Sequence, residues 1–262
     1  MSRIVTNSSA ITVYKNYNRS NTALAASAER LSTGLRINRA SDDAAGLAIS
    51  ETLRAQIKGA NAAADNISDA NSFINTADGF LQNVSDILGR LEELTVNFGD
   101  ATKSASDKSN LKSEFDSLRQ QALDIINKAE FNGLSMFKAD LSGLVIDADG
   151  NTTSIKGLAG ATALTDIGAA TISTIATVTK AIGTVSTQRG TLGASQSKIN
   201  YTLIGVENYS ENISAAESRI RNVDVAKETT TFSRYQIQVQ AATAMLAQAN
   251  QLPQNVLSLL KG

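Results

Sequence analysis

From residue 178 to residue 220 an apolar side chain returns at every seventh position: Val178, Val185, Leu192, Ile199, Val206, Ile213 and Ile220. A seven-residue period keeps one stripe of a long helix turned toward a partner helix. At 1.5 Å per residue this run would extend about 64 Å, far beyond the helices of an ordinary globular domain. The first half carries an answering stripe, Leu53, Ala60, Ile67, Ile74, Leu81 and Leu88, with Ala63, Ala70, Ala77, Val84, Leu91 and Phe98 on adjoining positions. The two stripes predict a mainly α chain: long antiparallel coiled-coil helices forming a rod. A second line on the later helix, Ile175, Ile182, Arg189, Gln196, Leu203, Ser210 and Glu217, is partly polar. Its polar members either set register and partner or face solvent at the edge of the seam.

The remaining elements follow from where this periodicity starts and stops. Residues 1–32 hold no Gly or Pro, and Ala10, Tyr17, Leu24 and Leu31 share one heptad line flanked by Val13, Tyr14 and Ala28, which predicts a narrow amphipathic helix. Gly34 is placed to end it through a left-handed conformation. Ser41, followed by Asp42 and Asp43, reads as the start of a second helix that reaches about Phe98. Residues 99–110 are polar and turn-rich, and a shorter helix runs from about Leu111 to near Ala129. Between Phe131 and Gly168 helical periodicity vanishes. There Leu144–Ile146 and Thr152–Ile155 flank the turn pair Asp149-Gly150, predicting one or two short β-hairpins. Helix resumes near Thr171, breaks at 221–224, and returns over roughly 226–250. Pro253 is expected to end or restart it, leaving 256–260 as a short apolar tip. The chain thus divides into 1–42, 43–129, 130–170, 171–221 and 222–262, with the first segment paired to the last and the second to the fourth.

Composition removes most chemistry. The 24 basic and 25 acidic residues nearly cancel, and no basic cluster stands clear of acidic neighbours, so nucleic acid is a poor partner. No Cys and no His are present, which removes thiolate chemistry, the commonest metal ligand and the easiest proton carrier near neutral pH. Glu92 and Glu93, like Asp42 and Asp43, are neighbours that point in different directions on a helix and so do not face one reaction centre. No phosphate-cradling glycine pattern occurs. No catalytic, cofactor or metal residues are expected. No stretch approaches a membrane-spanning length of apolar residues, and the opening residues turn polar at once, unlike a cleavable leader.

Fixing each residue of a terminal helix costs roughly 1–2 kcal/mol of backbone entropy, and a narrow stripe of Ala, Tyr and Leu recovers little of it. Residues 1–40 and 222–262 are therefore expected to be poorly ordered in an isolated monomer and to need neighbours. Repeated contact between different faces of identical subunits generates a helical filament, so the expectation is a self-assembling subunit.

Particular residues sharpen this. Leu31-Ser32-Thr33-Gly34-Leu35-Arg36-Ile37-Asn38, then Ser41-Asp42-Asp43-Ala44-Ala45-Gly46-Leu47-Ala48-Ile49, resembles the amino-terminal signature of bacterial flagellins. The run from Thr243 to Leu260, through Ala249-Asn250-Gln251-Leu252-Pro253-Gln254-Asn255, resembles the family's carboxy-terminal signature, and Phe131-Asn132-Gly133 resembles its helix-to-hairpin junction. The similarity covers roughly residues 1–135 and 175–262. It implies a minimal flagellin, in which both termini pair as an inner layer, the long helices form a rod-like second layer, and large variable outer domains are missing. The implied function is the structural subunit of the motility filament, extracellular and exported through the flagellum's own channel.

The implied partners are copies of the same chain, filament cap and junction proteins, and an export chaperone on the carboxy-terminal segment at Ala244, Met245, Leu246, Leu252, Val256, Leu257 and Leu260. The resemblance also implies contact with Toll-like receptor 5 through Leu88, Arg90, Glu93 and Leu94, with Glu114 on the following helix. Here the chain departs from the family at Glu92, where a basic residue is common, and at Phe98-Gly99, where small polar residues are common. Two rivals share some of these features. The hook–filament junction protein resembles flagellin at both ends, but the Ala-Asn-Gln-Leu-Pro-Gln run favours flagellin. A cytosolic coiled-coil adaptor would explain the seven-residue stripe and leave both terminal signatures without a reason.

Overall fold

The long helices form where the apolar period predicts them, and their ends are set by side chains that satisfy the terminal backbone groups. The computed structural model describes residues 7–138, 140–156 and 161–261, with the backbone alone for 161, 162, 164 and 252–261. Among the described residues there are six helices: α1 (Ser8–Thr33), α2 (Ala44–Gly99), α3 (Ala105–Lys128), α4 (Ala161–Ala169), α5 (Ile175–Arg221) and α6 (Val225–Lys261). Two antiparallel pairs join them, β1 (Glu130–Phe131) with β2 (Leu134–Ser135), and β3 (Leu141–Val145) with β4 (Thr152–Ile155). The chain separates into two units, residues 55–213 and residues 1–54 with 214–262.

The unit 55–213 holds the core. Helix α2 buries Ile67, Ile74, Leu81 and Leu88 together with Ala63, Ala70, Ala77, Val84 and Leu91, and α5 buries Val178, Val185, Leu192, Ile199 and Val206. Helix α3 adds Phe115, Ala122 and Ile126 to the same cluster. The α2–α5 seam is thus one side of a larger core, and each fully buried Leu, Ile or Phe side chain stabilises it by about 1.5–3 kcal/mol.

The link between α3 and α5 differs from expectation in two places. Helix α3 begins at Ala105, six residues before Leu111, because Ser104 and Asp107 form a reciprocal capping box: Asp107 N–H donates to Ser104 Oγ (3.2 Å) and Ser104 N–H to Asp107 Oδ2 (3.1 Å). Helix α4 was not expected at all. It buries Ala163 and Ile167, its end is closed by Arg119 Nη1 donating to Gly168 O (3.0 Å), and α5 then begins at Ile175 instead of near Thr171. The β1–β2 turn is Asn132-Gly133, both at positive φ (49° and 76°), the geometry that suits a two-residue hairpin, and Phe131 meets Phe73 edge to face at 5.5 Å. In the second hairpin, Asp147 accepts from Asn151 N–H (2.8 Å) and Asp149 N–H (3.0 Å), and hydrogen bonding from Asn151 holds its carboxyl below the usual range.

Asp166 ties α4 to α5. It is 6% exposed, accepts from Thr184 Oγ1 at 2.7 Å and pairs with Lys180 Nζ at 2.9 Å, and these contacts, Thr184 first, lower its pKa. A lowered folded-state pKa stabilises fully at neutral pH, fades as pH falls past about 3.9, and is gone below the folded value. The midpoint gap between wild type and Asp166→Asn in thermal melts should therefore be largest near about pH 7 and shrink as the pH falls below about 3.9. A gap of constant size across that range would show that the carboxylate does not act through its charge.

The other unit is built from α1 and α6, which run antiparallel. Gly34 ends α1 in the left-handed conformation (φ 72°), donating its N–H to Arg30 O at 2.9 Å. At the start of α2 the capping role falls to Asp43, not Ser41. Asp43 Oδ1 accepts from Gly46 N–H at 2.8 Å, while Asp42 accepts from the backbone of Arg39 and Asn38, which lowers its pKa. Helix α6 does not end near Asn250 or restart at Pro253; its backbone continues to Lys261. The carbonyl that Pro253 leaves without an N–H partner, Ala249 O, accepts from Asn7 Nδ2 at 2.7 Å.

Candidate assembly and contact surfaces

The α1–α6 pair has very little interior. Among its described residues only Ser27 (1% exposed) and Ala249 (6%) are buried. The heptad line Ala10, Tyr17, Leu24 and Leu31 is half-buried, whereas Ile11 (50%), Tyr14 (56%), Ile237 (65%) and Met245 (57%) stand exposed. Ser27 Oγ donates to Glu228 Oε1 at 2.5 Å, and Arg30 Nη1 lies 3.9 Å from the same oxygen, so the one buried position of α1 is polar. The described contacts of this pair thus bury few side chains to set against the backbone entropy of ordering two long helices.

Where the terminal helices give way to α2 and α5, the two chain breaks knit together. Leu35 and Asn222 form an antiparallel bridge, Arg36 N–H donates to Arg221 O (2.6 Å), and Val223 N–H donates to Gly34 O (2.9 Å). The Arg36 guanidinium donates to Ile220 O (2.6 Å from Nη2), placing a cation on the last carbonyls of α5. Arg221 pairs with Glu51 at 2.6 Å and thereby lowers the Glu51 pKa. A Cβ at Gly46 would come within 2.5 Å of Asp43 Oδ2 and 2.9 Å of Ile37 Cδ1, so only glycine fits between the cap and this buried isoleucine. Arg36 carried no sequence signal for its role, because the helix it caps lies far along the chain.

Within the unit 55–213 the partly polar line of α5 meets α2. Arg189 Nε donates to Asp78 Oδ1 (2.8 Å), Gln196 Nε2 to Asn75 Oδ1 (2.7 Å) and Ser210 Oγ to Asn61 Oδ1 (3.0 Å), and Asn71 Nδ2 donates to Asn200 Oδ1 (2.9 Å). The Asp78 carboxylate pushes the Arg189 pKa up. Of the two readings left open for Arg189, Gln196 and Ser210, the structure selects register: each reaches a specific α2 partner, so a one-heptad slip would break all three contacts. The seam positions divide by location. Ile67, Ile74, Leu81, Leu88, Val178, Val185, Leu192, Ile199 and Val206 are buried, whereas Ile213 is half-buried, as are Leu53 and Ile220, which belong to the terminal unit.

The residues singled out for receptor contact do not share one environment. Arg90 Nη1 pairs with Glu93 (2.9 Å) and Nη2 with Glu114 (2.8 Å), an exposed triad in which Glu93 first and Glu114 second push the Arg90 pKa up. Leu88 and Leu94 are fully buried at 0% exposure and present no surface. Leu88 lies on the seam stripe itself and Leu94 one turn beyond the buried Leu91, so both face the core, on the helix that displays the triad. Of the export-chaperone residues, Ala244 and Met245 are exposed and Leu246 is half-buried; the side chains of Leu252, Val256, Leu257 and Leu260 lie outside the described residues. Among the described residues no group of three His, Cys, Asp or Glu is placed to hold a metal ion, and no helix is long and apolar enough to cross a membrane.

Comparison with known proteins agrees with this architecture. Residues 4–141 match the bacterial flagellin N-terminal helical region and residues 175–260 the bacterial flagellin C-terminal helical region, with the β3–β4 hairpin and α4 lying mostly in the interval between. The flagellar filament 33 kDa core protein of Treponema phagedenis is 39% identical, with 97% of this chain and 98% of that protein covered. The flagellin of Halalkalibacterium halodurans is 42% identical over 89% of this chain and 90% of its own length, and that of Bacillus subtilis 38% identical over 99% and 100%. Two helical regions in the expected order and relatives matched along nearly their whole length show that this chain belongs to the bacterial flagellins, the structural subunits of the flagellar filament.

Proposed function

We propose that the α1–α6 pair carries the subunit contacts that build the filament, while residues 55–213 fold on their own core. The observation behind this reading is the mismatch between Ile11, Tyr14, Ile237 and Met245, which are exposed, and an interior that among the described residues is limited to Ser27 and Ala249. In a polymer those four side chains find apolar neighbours from other copies, and heterologous contacts that do not close on themselves propagate as a helix. The same weakness suits export through the narrow channel of the flagellum: ends with so small a core unfold at little cost and refold on arrival. The cap and junction proteins of the filament would meet the same terminal surface, and an export chaperone would take the segment around Ala244, Met245 and Leu246 before assembly. Seeding dilute protein with filament fragments tests the reading. Elongation visible by electron microscopy is expected; monomer that never elongates would overturn the assignment of the subunit contacts to the α1–α6 pair.

The Arg90–Glu93–Glu114 triad supports a second contact, with Toll-like receptor 5. It is solvent-exposed, charged and centred on an arginine, the residue type that concentrates binding energy at interfaces. In soluble monomer, Arg90→Ala is expected to weaken the receptor response by about tenfold or more. Its thermal midpoint should stay near that of wild type, since exposed ion pairs add little stability. An unchanged response removes Arg90 from the contact.

A further inference from the structure

Asn7 uses both ends of its side-chain amide. Its Oδ1 accepts from Ala10 N–H at 3.0 Å and so caps α1, while its Nδ2 donates to Ala249 O at 2.7 Å across 242 residues of sequence. The acceptor is the one α6 carbonyl that a helix cannot satisfy from within at this point, because the residue four positions on is Pro253, which has no N–H. Ala249 is 6% exposed, so water is a poor substitute donor.

We infer that Asn7 and Pro253 form a latch between the two ends of the chain: α6 is complete past Ala249 only when the start of α1 lies against it in the correct antiparallel register. Before pairing, the missing bond at Ala249 weakens continuation of α6 toward Lys261. On pairing, α1 supplies the donor and gains its own cap from the same side chain. The latch also selects register. A slip of one heptad would bring Asn7 to Ala242, whose carbonyl is already engaged by the N–H of Leu246 within the helix. The large side chains between the two helices, Tyr17, Leu24 and Leu31 of α1 and Phe232, Tyr235 and Leu246 of α6, are only half-buried, and partly covered knobs specify register weakly. The inference rests on the filament reading only in that ordered ends are what the polymer requires.

A double-mutant cycle in the full chain tests it, with Asn7→Ser, Pro253→Ala and both together. Serine keeps an N-cap oxygen but is too short to reach Ala249, and alanine at 253 restores the N–H donor within the helix. Asn7→Ser is expected to raise the critical concentration for seeded polymerisation roughly two- to tenfold while Pro253 is present, the range commanded by one hydrogen bond. In the Pro253→Ala background the same change should have a factor near one. Equal factors in both backgrounds overturn the latch, leaving Asn7 as a cap alone. Amide hydrogen exchange of residues 250–252 in assembled polymer of the same four proteins, each grown above its own critical concentration, reads the latch apart from the drive to assemble. Loss of protection from Asn7→Ser only when Pro253 is present supports it, and equal protection in all four overturns it. Failure of the wild type to elongate would instead count against the filament reading.

Discussion

Replacing Leu81 with alanine should destabilise the unit 55–213 by about 2–5 kcal/mol, the cost of a cavity where a fully buried leucine stood. Leu81 is 0% exposed, about two thirds of the way along α2, in the cluster that joins α2, α3 and α5. The surrounding helices cannot close the gap cheaply, because shifting α2 against α5 would disturb the Arg189–Asp78 and Gln196–Asn75 contacts in the two turns before Leu81. Ile213→Ala, at the half-buried end of the α5 stripe, should cost markedly less. Urea denaturation followed by circular dichroism separates the two through their midpoints. Equal shifts would mean that the stripe does not grade from dry interior to frayed end.

The second large effect concerns assembly alone. A triple variant Ile11→Ser, Tyr14→Ser, Ile237→Ser should fold residues 55–213 normally and yet fail to elongate on seeds. Each apolar side chain that a neighbouring copy would bury contributes about 1.5–3 kcal/mol, and loss of three such contacts per subunit leaves no net drive to polymerise. Sedimentation after seeding reads the outcome, with the urea midpoint of the core unit as the control. Pelleted polymer at wild-type concentrations would show that the filament is held by other faces and would shift attention to Tyr201 and Ile204 on α5, exposed at 77% and 52%.

The elements differ in how much of themselves they disclose along the chain. The α2 and α5 stripes were legible because an apolar period is a local property and survives wherever the helix is partnered. The start of α3 was also legible in principle: Ser104 and Asp107 stand at capping-box spacing, but the polar composition of 99–110 masked it. Helix α4 was not legible, since nine residues in a glycine-rich interval carry too few turns to show a period, and its burial rests on Asp166 and Arg119 contacts with other helices. Arg90, Glu93 and Glu114 form one exposed ion-pair triad, whereas Leu88 and Leu94, named from the same motif, are buried in the core, a division between surface and interior that a motif spacing does not display.

By itself the sequence determined that this protein is a set of long helices with a short β interruption, and that the apolar stripe of its terminal helices is narrow. Each of these depends on composition or on neighbours within a turn or two. The tertiary structure decided what stands opposite each face: Asp78 across from Arg189 at a separation of 111 residues, and Ala249 O across from Asn7 at 242. A helical period names the face that will be covered, but a hydrogen bond needs a donor and an acceptor within about 3 Å. That distance is met only once two remote segments have settled into one register, which is why Pro253 read as a break in the sequence and is bridged in the fold.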